Sequence, residues 1–76
     1  MDDLKISLRR NARLVDLIRT RFPKTPPTEY YHWQESLDAI WALYDNAVID
    51  ALQAKKAKAV LKKQIQTGVK RYANAE

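Results

Sequence analysis

The sequence predicts an all-α fold: an antiparallel helical hairpin whose second helix is overlong and which dimerises into a small helical bundle. Three observations carry that expectation. Leu4, Leu8, Leu14, Val15, Ile18 and Phe22 recur at three- and four-residue spacing, which gathers them on one helix face. Three prolines cluster at Pro23, Pro26 and Pro27, and a proline lacks the N–H that a helix interior needs. Beyond them, Thr28 to Thr67 runs forty residues without a Gly or Pro.

Helix 1 is expected from about residue 2 to 22. Asp2 and Asp3 stand at its positive end and Arg19 and Arg21 at its negative end, where each charge opposes the helix dipole. Ile6 and Leu17 fall on nearly the opposite side from the apolar stripe, among Arg10, Arg13 and Arg21. They mark either scattered exposed aliphatics or a second, weaker contact surface.

The Pro-rich turn spans 23–27. A residue before proline is biased away from the α region, so the chain is extended here. Thr28 can cap the next helix, or Thr25 can do so with Pro26 at the first helical position. A connection this short places neighbouring helices antiparallel.

Helix 2 is expected from about 28 to 67 or longer. Trp33, Leu37, Trp41, Tyr44, Val48 and Ala51 or Leu52 continue the helical spacing, with Tyr30 and Ile40 on the flanks, and can cover helix 1 over its length. A break near Asn46 or Gln53 would make three helices, but neither position has a Gly or Pro. Gly68 is a candidate stop, leaving Val69 to Glu76 as a last turn or frayed tail. The whole chain, 1–76, reads as a single helical domain.

A forty-residue helix would extend about 60 Å, whereas a compact chain of this length has a radius of gyration near about 11 Å. Something must therefore cover residues 53–72. Ala47, Ala51, Ala54, Leu61, Ile65 and Tyr72 make a narrow stripe of small residues and anchors, and a second copy is the expected occupant, giving a homodimer.

Composition bounds the function. The chain carries +5 and no Cys, so no disulfide or thiolate chemistry is available. Charge is laid out in blocks: residues 1–22 hold six basic and three acidic side chains, 23–50 one and five, and 51–76 seven and one. No stretch resembles a signal peptide or spanning helix, so a cytoplasmic protein without a membrane partner is expected.

Catalysis is not expected. His32 is the single histidine, its neighbours at helical spacing are Glu29 and Glu35, and that set lacks the ligand geometry of a zinc site. Ser7 and Ser36 have no convincing base. One Gly cannot build a phosphate-cradling loop. No metal, cofactor or small-molecule substrate is expected.

Binding unites the remaining features. Tyr30, Tyr31, Trp33, Trp41 and Tyr44 are more large rings than one helix seam needs, and Tyr and Trp are frequent interface anchors. The expected function is therefore a small non-catalytic regulator or inhibitor that binds a partner protein, in the size range of phage and mobile-element accessory proteins. The alternative is a dimeric nucleic-acid-binding protein. It would use Arg9, Arg10 and Arg13 on helix 1, Lys55, Lys56 and Lys58 near the start of the basic block, and Lys62, Lys63, Lys70 and Arg71 further along it, each able to neutralise phosphate.

Overall fold

The computed structural model describes residues 3–75 and comprises three helices, α1 (Asp3–Arg21), α2 (Pro27–Asp45) and α3 (Ala51–Ala75), with no strand among the described residues. Asp2, expected in the first turn of helix 1, and the C-terminal Glu76 lie outside the described residues. The all-α expectation holds; the overlong second helix does not.

α1 follows its expected stripe. Leu4, Leu8, Val15 and Ile18 are buried, and Asp3 and Arg19 with Arg21 occupy the ends that suit their charge. Leu14, expected in the stripe, is instead 46% exposed. The Phe22 N–H closes the last turn on the Ile18 carbonyl at 2.8 Å, and Pro23 has no N–H to continue it. α2 begins with Pro27 in its first turn and Pro26 at the N-cap, φ −57° and ψ 131°, without a side-chain cap. Neither Thr28 nor Thr25 caps it. Two prolines supply that start, because a missing N–H costs nothing where no intrahelical acceptor exists.

The expected helix over 28–67 is two helices. α2 ends in a Schellman arrangement: the Val48 N–H reaches the Leu43 carbonyl at 2.9 Å and the Ala47 N–H reaches the Tyr44 carbonyl at 3.1 Å. Ala47 takes the left-handed conformation this needs, with φ 58°. Asn46 adds its side-chain amide to the Ala42 carbonyl at 2.9 Å. Four residues later a capping box opens α3. Asp50 Oδ1 accepts the Gln53 N–H at 2.8 Å, and Gln53 Oε1 accepts the Asp50 N–H at 3.0 Å. Val48 and Leu52, expected in the core of a continuous helix, are 67% and 61% exposed at this turn.

Gly68 does not stop α3, which continues to Ala75. Its lack of a side chain serves packing: a Cβ there would stand 2.7 Å from Trp33 Cζ2 and 3.1 Å from Cη2. Trp33 is 1% exposed, so the indole lies directly against the α3 backbone.

All three helices contribute to one apolar cluster that includes Leu8, Val15, Trp33, Leu37, Ala54 and Leu61. Contacts along α1 and α2 run in opposite order, since Lys5 pairs with Asp45 while Tyr30 reaches Ile18. The same holds for α2 and α3, where Arg71 pairs with Glu29 and Ile40 lies by Ala57. α1 and α3 therefore run in the same direction, with Lys58 donating to Ser7 and Ile65 beside Ile18. The result measures 40 Å in its longest dimension, well short of the roughly 60 Å of a continuous second helix. Residues 53–72 have their cover within the chain.

Candidate functional site

The structure moves most of the expected protein-binding band indoors. Tyr30 and Trp33 are 5% and 1% exposed and pack edge to face with ring centroids 5.9 Å apart. The Tyr30 hydroxyl reaches the Phe22 carbonyl at 2.9 Å and the Ile18 carbonyl at 3.2 Å, so it serves the open C-terminal end of α1. Trp41 and Tyr44 are half-buried, and Lys5 and Arg9 lie 5.5 and 5.6 Å from the Trp41 ring centroid. Of the five rings, only Tyr31 is exposed.

The expected dimer stripe is likewise dispersed. Ala54, Leu61 and Ile65 are buried within the chain, against α1 and α2. Tyr72 is half-buried and donates its hydroxyl to Glu29, whose other oxygen takes Arg71 at 2.8 Å. Burial first, then that hydrogen bond, hold the Tyr72 phenol above its usual range. Ala47 and Ala51 are exposed at the α2–α3 turn. The stripe faces its own bundle because the break at Asn46–Asp50 folds α3 back.

The fold also sorts the surface charge. α1 carries six Lys or Arg and two carboxylates. α2 carries four carboxylates and no Lys or Arg. α3 carries seven Lys or Arg and no carboxylate. With each helix touching the other two, the two basic helices share one face on the side away from the acidic one. Segregated like this, the charges of α1 and α3 sum to a positive field rather than cancelling.

The expected cations divide by side and by role: Lys70 borders the space between α1 and α3, whereas Lys63 and Arg71 line the cleft between α2 and α3. Arg9 leans onto Trp41, Arg71 is paired with Glu29, and Lys58 is half-buried on Ser7. Arg10, Arg13, Lys55, Lys56, Lys62, Lys63 and Lys70 are exposed and have no carboxylate partner among the described residues. Lys56, Lys63 and Lys70 are seven residues apart, so they line up along α3 at intervals of about 10 Å.

Between α1 and α3 runs a groove of about 540 Å³. Leu14, Ile18 and Phe22 line one side and Ile65 and Val69 the other, with Arg21 and Lys70 at its edge and no carboxylate in its lining. Leu17, one turn from Arg21 and Arg13, is 65% exposed beside it. The sequence holds half of this signal: Leu17 among arginines marks the α1 surface, but its neighbour α3 is visible only once the chain is known to turn at Asn46.

A second cleft, about 600 Å³, lies between α2 and α3 and is lined by His32, Trp33, Lys63, Thr67 and Arg71 among others. Three of its polar side chains, Glu29, Thr67 and Arg71, are already engaged. Glu29 holds Arg71 and Tyr72, and the Thr67 hydroxyl donates to the Lys63 carbonyl at 2.9 Å. Among the described residues, no group of three or more His, Asp or Glu is placed to hold a metal ion, and no helix is long and apolar enough to cross a membrane. No known protein family, curated protein or solved structure matches the chain.

Proposed function

We propose that this chain is a non-catalytic binding module whose working surface is the shared face of α1 and α3, and that its ligand is the phosphate backbone of a nucleic acid. One observation carries the reading: the two basic helices lie in contact with each other, and the groove between them is bordered by Arg21 and Lys70 with no carboxylate in its lining. Exposed lysines at regular intervals neutralise phosphates without reading bases, so the binding is weakly dependent on sequence and strongly dependent on salt.

The exposed Leu14 and Leu17 favour a second reading, a regulator that holds a partner protein on the same face, because a phosphate backbone has no use for apolar contacts. The aromatic side chains no longer support that reading, since four of the five are wholly or partly interior.

Fluorescence anisotropy with mixed-sequence DNA and RNA between about 50 and 200 mM salt separates the two. The nucleic-acid reading expects affinity to fall steeply over that range, and replacing Arg10, Lys62 and Lys70 with Gln to flatten the slope. No binding at low salt, or a slope untouched by those replacements, would count against it.

A further inference from the structure

The groove between α1 and α3 has a specific complement, and the chain itself contains the pattern for it. α2 lies against both basic helices, runs opposite to each, presents apolar side chains to them and bears only carboxylates as fixed charge. On the other side of the α1–α3 pair the same two helices leave an apolar channel unfilled. A helix laid there, antiparallel to both, would complete a four-helix bundle.

We propose that this groove is a docking site for an acidic amphipathic helix of a partner protein. The channel from Leu14 to Phe22 spans eight residues, about 12 Å or two turns, which suits apolar anchors at i, i+4 and i+7. Arg21 and Lys70 stand at its edge. Arg10, one turn before Leu14, and Lys62, one turn before Ile65, extend the positive border. Carboxylates on the flanks of the docked helix meet those cations, and its apolar stripe covers Leu14 and Val69. Charge steers the encounter and apolar burial holds the complex. The proposal stands independently of the nucleic-acid reading, although the two ligands would compete for Arg21 and Lys70.

The test uses the full chain and a labelled synthetic helical peptide of about four turns, with Glu on its polar face and Leu on the other. Control peptides keep every Glu and replace Leu by Ser. The proposal expects the Leu peptide to bind and the Ser peptide to bind about tenfold more weakly or worse. Leu14→Glu and, separately, the surface change Lys70→Glu should each weaken the Leu peptide, with circular dichroism showing the helices intact. Absence of peptide binding would overturn the proposal. So would equal binding of the Ser peptide, which is a bare polyanion effect, or a concentration-dependent doubling of mass that Leu14→Glu abolishes, which would assign the groove to a second copy. An oligonucleotide measured alongside keeps the two readings apart: peptide binding without oligonucleotide binding supports this proposal alone, and the reverse overturns it.

Discussion

The far edge of the Trp33 indole rests on the backbone of α3 at Gly68, so closely that an added Cβ would lie 2.7 Å from Cζ2. In an exposed helix interior Gly→Ala is stabilising by about 1 kcal/mol. Here the sign reverses. The neighbour is a ring buried to 1% exposure, not the loose end of a flexible side chain, and overpacking costs about 1–3 kcal/mol. Gly68→Ala should therefore lower stability by about 1 kcal/mol or more in urea unfolding. In a Trp33→Phe background, where the outer ring is gone, the same change should become neutral or stabilising. A stabilising Gly68→Ala in the parent protein would contradict this packing.

Ala47 occupies a left-handed position, φ 58°, where a side chain costs roughly 1–2 kcal/mol. Glycine removes that cost while adding up to about 1 kcal/mol of unfolded-state entropy. The net effect of Ala47→Gly should be a gain in stability of up to about 1 kcal/mol. If α2 and α3 were one helix, the same change would destabilise by a similar amount, so the sign of one thermal shift decides whether the chain turns there.

Thr25 is 3% exposed in the turn between α1 and α2, and its hydroxyl has no hydrogen-bond partner among the described residues. A buried unpaired hydroxyl costs about 1–3 kcal/mol, and Val keeps the branched shape. Thr25→Val should raise the thermal midpoint, reading out as about 1 kcal/mol; a loss of similar size would mean the hydroxyl has a partner.

The raised Tyr72 phenol links α3 to pH. Its folded pKa lies above the unfolded value near 10.0, so the stability it contributes is fully present below pH 10 and is lost as pH rises through the folded value. The difference in stability between the parent and Tyr72→Phe should be constant at neutral pH and shrink on the alkaline side. A difference that grows with alkaline pH would place the phenol pKa below its usual range.

How far the sequence is legible depends on which physical signals are local. The Leu and Ile spacing of α1, the proline turn and the aromatic start of α2 are local, and each appears where the pattern puts it apart from the exposed Leu14 and the α2 start, which Pro26 takes in place of a threonine cap. The α2–α3 turn is partly local. Asp50 and Gln53 stand at capping-box spacing and could have been read as a helix start, whereas Ala47 carries no sign of its left-handed backbone, which glycine ordinarily marks. That turn has one large structural consequence. Ala54, Leu61 and Ile65 looked like a seam awaiting a second copy, when α3 folds back and buries them in its own bundle. The basic face was legible as two separate blocks of charge, but their adjacency is a tertiary fact.

The central claim is that the joined basic face of α1 and α3 is the working surface. Amide chemical-shift mapping of the isotope-labelled chain with a short mixed-sequence oligonucleotide tests it most directly. Shifts concentrated at Arg10, Arg21, Lys62 and Lys70, and erased by high salt, are the predicted result. Shifts centred on Glu35 and Asp38 of α2, or none at all at low salt, would contradict it.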